Sequence, residues 1–233
     1  MKKQNINYID TIYDKDRTPQ TSYPSQLISY LKNEFNLNKG SKLLELGCGR
    51  GDFLYEFQNL GFDCYGVDRE KSKFHDDYNL NVSECDLEKD NLPFDDNEFD
   101  IVYHKSVIEH VNNPSKIMME TKRVLKKDGV VIILTPDWHT QWKNFYEDFT
   151  HSRPYDKLTM QDLLEIYSFS NVQAKKFIQI PIIWKYPFLS FISKILRIFM
   201  DVYTARWLTQ KTKIKFFRWS CELMILGYGR NEK

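Results

Sequence analysis

Cysteine, glycine and long apolar runs are all scarce in this chain of 233 residues. The four cysteines form no CxxC pair, which argues against a disulfide framework or a zinc site and favours a reducing compartment. The N-terminus starts with basic residues but has no apolar run after them, so we expect no signal peptide. No stretch reaches the ~18 apolar residues that a membrane-spanning helix needs. These absences favour a cytoplasmic location.

A strong excess of either charge is also missing, because 33 basic side chains are balanced by 32 acidic ones. A globally basic nucleic-acid-binding surface is therefore not expected. The balance hides an asymmetry: residues 1–180 hold 23 basic and 29 acidic side chains, whereas residues 181–219 hold eight basic and one acidic. The chain is thus an acidic body with one basic, aromatic-rich segment.

Short apolar runs alternate with helix-like segments, which predicts βα units and a parallel sheet covered on both faces. In such sheets, ligands bind beyond the carboxyl ends of the strands. The predicted strands are residues 43–46, 64–67, 81–85, 99–104, 130–135, 172–180 and 221–227. Helices are predicted after Pro24, over 52–60, from Asn113-Pro114 to Gly129, and from a capping box formed by Thr159 and Asp162.

This pattern divides the chain into four parts. An N-terminal arm over 1–21 precedes a core over 22–180. A basic helical insertion over 181–219 then separates the core from its last strand and C-terminus over 220–233. The fold class that we expect is α/β, with a doubly wound sheet.

The segment Glu45-Leu-Gly-Cys-Gly-Arg-Gly51, between a predicted strand and a predicted helix, is the strongest functional signal. Glycines let the backbone turn sharply and approach a ligand, and a helix N-terminus offers free N–H groups. A nicotinamide-type loop has the pattern GxGxxG, whereas this loop is GxGxG with Asp52 at the third glycine position of that pattern. An acid there disfavours a diphosphate, and with it an NAD(P)-dependent oxidoreductase, and is more compatible with an ammonium or sulfonium group.

Two acids follow at the ends of the next two predicted strands. Asp68 ends the second strand, where a carboxylate can accept hydrogen bonds from both ribose hydroxyls. Asp86 ends the third strand, where a carboxylate could accept from an adenine amino group. A single strand-end acid often only caps a helix, but three such features on successive strands predict a nucleoside-binding site.

Five segments in this order resemble the motifs of class I S-adenosylmethionine-dependent methyltransferases: LLELGCGRG, YGVDRE, ECDLEKDNLPF, FDIVYHKSVIEHV and RVLKKDGVVIILTP. The resemblance covers roughly residues 40–230 and implies a Rossmann-like, mostly parallel sheet of seven strands with the last strand antiparallel. It implies S-adenosyl-L-methionine as the cofactor. The residues that it places at the cofactor are Glu45, Gly47, Cys48, Gly49, Gly51, Asp68, Arg69, Asp86, Leu87 and His104.

The same resemblance implies a role for several of these residues. The three glycines would line the methionine end of the cofactor, and Asp68 would hold the ribose. Asp86 and Leu87 would meet the adenine, which Arg69 could cover. His104 would lie near the sulfonium.

The aromatic segment Pro136–Tyr155, after the fifth predicted strand, is the best candidate for binding the methyl acceptor. Aromatic faces pair with the apolar faces of sugars, and His or Asp can serve as a base. The predicted catalytic residues are His151, Asp148 and His139, with Asp148 orienting His151. The predicted substrate-binding residues are Trp138, Trp142, Tyr146, Arg153 and Tyr155. Alternatively, the aromatic side chains cover the sheet edge and His151 caps a helix or bonds a backbone carbonyl.

The stretch around His151 resembles the DxTHxRPY loops of methyltransferases encoded with surface-polysaccharide pathways. That resemblance implies O-methylation of a sugar, glycan or phosphoryl-linked group. The alternatives are another small molecule, a lipid-linked acceptor, or a non-catalytic partner protein that keeps the fold. We interpret Glu109-His110, which matches the EHV of the family, as mainly structural. No metal is assigned, because the spacing of the acids and histidines in the aromatic segment fits no ligand motif.

From Tyr186 to Leu208, polar residues recur every three or four positions, which predicts one helix with a narrow polar stripe. We rank three interpretations of this segment. The first is packing on the sheet or against a second copy of the chain, and the second is a lid over an anionic acceptor. The third is an in-plane helix on an anionic membrane surface, with residues 186–218 supplying the basic flank. A nucleic-acid partner ranks below these, because no recognition module is visible.

Overall fold

The computed structural model describes residues 19–233, so the predicted arm over 1–21 lies mostly outside the described residues. The chain forms two compact units. The first unit holds the described residues up to His104, together with Ser115–Gly129 and Lys233. The second unit holds Lys105–Pro114 and Val130–Glu232.

Seven strands form one sheet in the order β3-β2-β1-β4-β5-β7-β6, as the α/β prediction requires. The strands are β1 (Lys42–Leu46), β2 (Asp63–Asp68), β3 (Asn81–Glu84), β4 (Phe99–Lys105), β5 (Leu125–Pro136), β6 (Phe169–Phe177) and β7 (Met224–Asn231). Strand β1 pairs in parallel with β2 and with β4, and β2 pairs in parallel with β3, whereas β7 runs antiparallel to β5 and β6. The mostly parallel sheet with an antiparallel last strand is therefore confirmed.

Helices flank these strands, and a helical insertion separates β6 from β7. The helices are α1 (Tyr23–Glu34), α2 (Asp52–Asn59), α3 (Lys73–Asp77), α4 (Pro114–Val124), α5 (Trp138–Gln141), α6 (Lys157–Ile166), α7 (Pro181–Lys185), α8 (Ser190–Phe199), α9 (Val202–Thr212) and α10 (Phe216–Cys221). Short 3-10 helices lie at Ile108–His110, Phe145–Glu147 and Pro187–Leu189.

The parallel register of β1 places the candidate ligand-binding residues at one edge of the sheet. Four of the five residues of β1 are buried, as in a central strand covered on both faces. Leu46 lies opposite Val67 of β2, so the glycine loop and Asp68 follow at the same edge. Glu45 lies opposite Tyr103 of β4, which brings His104 to that edge as well. The position of these residues at one edge follows from the alternation of short strands and helices along the chain.

In the second unit, small residues let a helix approach the sheet closely. A Cβ added at Gly227 of β7 would lie 2.8 Å from the sulfur of Met160 in α6. Helix α6 begins at Lys157, where Asp156 accepts the N–H of Thr159. The capping box predicted at Thr159 and Asp162 is therefore wrong by one turn, because the acid that caps this helix precedes it.

Two predicted helix boundaries are also wrong. The single helix over 186–208 is instead broken between α8 and α9. Asp201 is extended there and its side chain accepts the N–H of Thr204, so it starts a new helix in the middle of the polar stripe. Helix α4 ends at Val124 rather than at Gly129, since β5 already begins at Leu125.

Candidate functional site

The glycine loop between β1 and α2 has a backbone that other residues would adopt only with strain. Gly47, Gly49 and Gly51 have φ values of 62°, 54° and 90°, all in the left-handed region. A Cβ at Gly51 would lie 2.5 Å from Cδ1 of Leu80, closer than any real contact. The loop therefore requires glycine, and its bare backbone leaves room for close approach by a ligand.

A buried histidine holds this loop in place from the protein side. The N–H of Ser72 donates to Nδ1 of His75 at 3.2 Å, so the ring proton lies on Nε2. Nε2 then donates to the carbonyl oxygen of Gly49 at 2.8 Å. Burial lowers the pKa of His75, which keeps the ring neutral in this role. No sequence motif indicated this contact, which joins residues 26 positions apart.

Asp68 is tied to the glycine loop at the end of β2. Its Oδ2 accepts the N–H of Gly49 at 2.7 Å, and its Oδ1 accepts the N–H of Arg69 at 2.8 Å. Each carboxylate oxygen can accept a second hydrogen bond. The carboxylate is thus fixed in position while retaining acceptor capacity for two hydroxyl groups.

Asp86, at the end of β3, forms a small network of charged groups. Its Oδ1 accepts the N–H of Glu88, its Oδ2 lies 3.1 Å from Nζ of Lys89, and Nη2 of Arg69 lies 3.8 Å from Oδ1. Burial alone would raise the pKa of Asp86, but these donors hold it below the ordinary value. Leu87 is half-buried beside it. Arg69 has an exposed side chain, and its contact with adenine stays a prediction.

Two further residues predicted at the cofactor, at the end of β1 and in the glycine loop, have buried side chains. Cys48 and Glu45 are buried, and burial raises the pKa of the Cys48 thiol well above its usual value. Asp52, expected to favour a cationic ligand, already forms a bidentate pair with Arg50 at 3.0 and 2.7 Å. That charge is neutralised within the chain, so it supplies no free anion for a sulfonium.

His104, at the end of β4, is fully buried, and neither ring nitrogen has a hydrogen-bond partner among the described residues. Burial lowers the pKa of this imidazole to about 3, so it is neutral at physiological pH. A buried polar group without a partner is costly and calls for an explanation. A ligand at this edge of the sheet would supply the missing hydrogen bond.

In the second unit, backbone hydrogen bonds attach part of the aromatic segment to the chain that follows β4. The carbonyl oxygen of Glu109 accepts the N–H groups of Ser152 and Arg153 at 2.8 and 3.1 Å. Nη2 of Arg153 also donates to the carbonyl oxygen of Asn112 at 2.9 Å. These bonds bring His151 beside Glu109 and His110, although more than 40 residues separate them in sequence.

The tautomer of His151 is set by the backbone. Nδ1 lies 2.7 Å from the carbonyl oxygen of Phe145, which can only accept, so Nδ1 carries the proton in the neutral ring. Nε2 is then the basic nitrogen, 3.9 Å from Oδ2 of Asp148. The prediction that Asp148 orients His151 is wrong, because the Phe145 carbonyl does so and Asp148 lies at the opposite nitrogen.

A second histidine belongs to the same cluster. The hydroxyl of Thr150 donates to Oδ1 of Asp148 at 2.6 Å, since a carboxylate can only accept. The same hydroxyl oxygen lies 2.8 Å from Nδ1 of His110, so the imidazole donates to it. Burial alone would raise the pKa of Asp148, but hydrogen bonds from Thr150 hold it below the ordinary value. The rings of His110 and His151 are 4.7 Å apart.

Glu109 completes the cluster as a fully buried carboxyl group. Its Oε2 accepts the hydroxyl of Thr135 at 2.9 Å, and its Oε1 has no partner among the described residues. Burial raises the pKa of Glu109 to about 7. One ligand atom each of Glu109, His110 and His151 lie within 4.8 Å of one another, a spacing compatible with a metal ion. Sequence reasoning treated the Glu-His pair as structural and missed this cluster.

The predicted substrate-binding aromatics divide into exposed and buried members. Trp142 and Tyr146 are 58% and 56% exposed. Trp138 is half-buried and packs edge-on against Phe145, with ring centroids 5.6 Å apart. Tyr155 is buried, its hydroxyl has no partner among the described residues, and burial raises its pKa. Because the ring and the hydroxyl of Tyr155 are both buried, its contact with an acceptor stays a prediction.

His139 lies apart from the His151 cluster. Its ring is 60% exposed, and Nδ1 lies 3.6 Å from Oδ2 of Asp156 at the start of α6. It borders a cleft of about 200 Å³ that Trp142, Lys143 and Arg197 also line. The acidic neighbours of His139 are thus Asp137 and Asp156, not Asp148 of the predicted catalytic set.

Comparison with known proteins connects this geometry to a family. Residues 16–174 match the family model described as "Methyltransferase domain". The chain is 30% identical over 155 residues to an uncharacterized protein of Methanocaldococcus jannaschii, covering 63% of this chain and 72% of that protein. It is 30% identical over 102 residues to a ubiquinone biosynthesis O-methyltransferase of Pelagibacter ubique, covering 42% of each.

A solved structure of an S-adenosylmethionine-dependent methyltransferase from Archaeoglobus fulgidus shares the fold. The TM-score is 0.63 at 19% identity, covering 96% of this chain and 100% of that one. The match to the ubiquinone biosynthesis enzymes spans only about half of their length or less.

The site residues fit the cofactor of this family. The glycine loop brings three left-handed glycines to the edge of the sheet where ligands bind, and Asp68 retains acceptors for ribose hydroxyls. His104 provides a buried ring that lacks a partner in the chain. The chain belongs to the methyltransferase-domain family, and it is an S-adenosylmethionine-dependent methyltransferase.

Proposed function

We propose that this enzyme methylates a hydroxyl oxygen of a sugar or glycan, in surface-polysaccharide biosynthesis, with His151 as the general base. The observation that carries the proposal is the hydrogen bond from Nδ1 of His151 to the carbonyl oxygen of Phe145. It leaves Nε2 as the basic nitrogen of a neutral imidazole. A hydroxyl acceptor needs such a base, whereas a carboxylate or phosphate acceptor is already anionic.

S-adenosylmethionine, when bound, supplies an electrophilic methyl group on a positively charged sulfur. The glycine loop and Asp68 would hold it, with Asp86 and Leu87 toward the adenine and His104 toward the sulfonium. In the acceptor region, Nε2 of His151 would take the hydroxyl proton as the acceptor oxygen bonds to the methyl carbon. The carbon–sulfur bond would break in the same displacement, and its electron pair would stay on the sulfur of S-adenosylhomocysteine. Asp148, 3.9 Å from Nε2, then stabilises the imidazolium by charge attraction.

The exposed aromatics support a sugar as the acceptor. Trp142 and Tyr146 present more than half of their surface to solvent, and Trp138 packs edge-on against both Phe145 and Tyr146. Aromatic faces bury the apolar faces of sugar rings while the hydroxyl groups stay hydrated at the rim. Relatives named as O-methyltransferases support oxygen as the acceptor atom.

A divalent cation is a second candidate for activating the hydroxyl. It is favoured by the three ligand atoms of Glu109, His110 and His151 and by the buried Oε1 of Glu109, which lacks a partner. A cation there would lower the pKa of a bound hydroxyl instead of removing its proton through His151. Dialysis against EDTA separates the two mechanisms, because the base mechanism predicts full activity after dialysis.

The test is turnover with a panel of acceptors, measured as S-adenosylhomocysteine release. Nucleotide-sugars and phosphorylated sugars represent the proposed class, and lipid-linked sugars and simple phenols represent the alternatives. Methylation of a sugar hydroxyl, found by mass spectrometry, supports the proposal. Methylation of the phenols alone would replace the glycan assignment with another small-molecule acceptor. Cofactor binding without turnover on any acceptor would favour a non-catalytic partner protein.

A further inference from the structure

Helix α8 has its polar side facing the protein and its apolar side facing out. Ser193 is fully buried, and its hydroxyl lies 2.9 Å from the hydroxyl of Ser220 in α10. One turn later, the guanidinium of Arg197 donates to the carbonyl oxygen of Ser220. On α8, Ser193 and Arg197 therefore use their polar groups for internal hydrogen bonds, whereas Lys194 is exposed.

The opposite side of α8 is an unusually large apolar surface. Six side chains on the helix and on the 3-10 turn before it are 37% to 84% exposed. They are Phe188, Phe191, Ile192, Ile195, Ile198 and Phe199. We call these six residues the α8 apolar face. The first interpretation of the segment was packing on the sheet or against a second copy of the chain, and the exposure of this face contradicts packing on the sheet.

A water-soluble surface seldom exposes so many neighbouring large apolar side chains without a partner. In an ordinary surface helix, burying the apolar stripe stabilises the fold and the polar stripe faces water. Here the reverse orientation exposes the apolar face to solvent in the isolated chain. This orientation points to a partner that covers the face.

The charges of the insertion that carries the α8 apolar face indicate the partner. Of the eight basic residues over 181–219, three arginines are engaged internally: Arg197 on Ser220, and Arg206 and Arg218 on the buried carboxylate of Glu222. Five exposed lysines have no carboxylate within ion-pair distance among residues 19–233. They are Lys185, Lys194, Lys211, Lys213 and Lys215.

These five lysines favour an anionic partner. Lys211 lies 4.3 Å from the ring centroid of Trp207, and Lys185 lies 5.4 Å from that of Tyr186, so aromatic and cationic groups are paired. Aromatic rings with lysines beside them suit the headgroup level of a bilayer. A second copy of the chain would instead bring the same lysines into one symmetric interface, where they repel.

We propose that the α8 apolar face and its five lysines bind the surface of an anionic lipid bilayer, with α8 lying in the plane of the membrane. Within the described residues, no helix is long and apolar enough to cross a bilayer. Helix α8 therefore inserts its exposed side chains only to the level of the upper acyl chains. This contact is independent of the acceptor chemistry proposed above.

The test is flotation of the full chain with vesicles. Phosphatidylcholine mixed with phosphatidylglycerol is compared with phosphatidylcholine alone, and we expect binding to the anionic vesicles that weakens with added salt. Ile198→Ser should lower the partition coefficient about tenfold, because it removes an exposed apolar side chain from the face. Ile166→Ser in α6 is the matched control, since Ile166 is 74% exposed and Ile198 is 75% exposed.

The charge contribution is tested in the same assay. Lys194→Glu should lower anionic-vesicle binding about thirtyfold. Lys127→Glu, an exposed lysine outside the insertion, should leave binding unchanged. Thermal melting checks that every variant is folded.

Two results would overturn the proposal. One is folded wild-type protein that stays unbound to both kinds of vesicle at low salt. The other is a concentration-dependent dimer in sedimentation velocity that Ile198→Ser dissociates while vesicles bind neither protein. That second result would assign the α8 apolar face to a second copy of the chain.

Discussion

The imidazole of His151 donates from Nδ1 to the carbonyl oxygen of Phe145 at 2.7 Å, and its other nitrogen lies 3.9 Å from Asp148. A backbone carbonyl cannot give up a proton, so the basic nitrogen of the neutral ring is always Nε2. The carboxylate of Asp148 lies on that side of the ring. In the mechanism that we propose, Nε2 is the atom that takes the proton of the acceptor hydroxyl.

His151→Ala should lower kcat about a hundredfold or more, the usual contribution of a general base. Cofactor affinity should stay at the wild-type level, because hydrogen bonds within the first unit, from His75 and to Asp68, hold the glycine loop. His139→Ala should change kcat only a few-fold, since that ring is 60% exposed and pairs with Asp156. Steady-state kinetics and calorimetric titration with S-adenosylhomocysteine give the two quantities. Equal loss of kcat in both variants would contradict the assignment of His151.

Asp68→Asn should weaken S-adenosylmethionine binding about thirtyfold, which corresponds to about 2 kcal/mol. The amide keeps the shape of the side chain but loses the charge and half of the acceptor capacity that ribose hydroxyls require. Calorimetric titration measures the change. Asp77→Asn is the control, because Asp77 is exposed on α3. Unchanged affinity in the Asp68 variant would remove the ribose role from this residue.

Gly51→Ala should lower the free energy of unfolding by about 3 kcal/mol, from left-handed strain and overlap with Leu80. Gly40→Ala is a matched control at φ 81°, where a Cβ would meet nothing within 4 Å. Gly40→Ala should lower the free energy of unfolding by only about 1 kcal/mol, which is the cost of left-handed strain without overlap. Urea denaturation of both variants measures the difference. Equal costs would show that the space at Gly51 is not restricted.

His104→Leu should remove part of the acid sensitivity of the fold. The pKa of His104 is about 3 in the folded chain, whereas the ordinary value for histidine is 6.5. Between these two pH values, the unfolded chain therefore binds a proton that the folded chain does not bind. The wild-type free energy of unfolding therefore falls as the pH drops below about 6.5. At pH 5, relative to pH 7, this loss is about 2 kcal/mol and should be absent from the variant. Parallel pH dependences of the two proteins, measured by denaturation, would argue against a buried neutral imidazole.

The sheet and its ligand-binding edge could be predicted because each depends on local sequence. Buried strands such as β1 and β5 are continuous apolar runs, and a parallel register aligns the residues that follow them. The same reasoning located the helix that starts at Pro114, where proline suits the first turn. Position along a strand was therefore enough to place the glycine loop, Asp68 and His104 on one edge.

The cluster around Glu109 could not be predicted in this way. It depends on the carbonyl oxygen of Glu109 accepting the N–H groups of Ser152 and Arg153, a contact across more than 40 residues. No periodicity or motif encodes which backbone groups such an irregular segment will bond. The role of Thr150 between His110 and Asp148 depends on the same contact.

The orientation of α8 was also beyond the sequence pattern. A polar stripe ordinarily indicates the solvent side of a helix, and hydropathy alone cannot show that Ser193 bonds to Ser220. The break at Asp201 has a local cause, because the side chain of Asp201 caps the N-terminus of α9. In the sequence, such a capping acid looks like one more polar residue of a continuous stripe.

The bond between Ser193 and Ser220 has a kinetic consequence. Many amphipathic segments fold only when they reach a membrane, and they lose conformational freedom at that moment. Helix α8 is already folded, and its apolar face already points outward, so its docking requires no rearrangement of the backbone. On the bilayer that we propose as its partner, its rate of capture should therefore follow the diffusion of the protein and the charge density of the membrane.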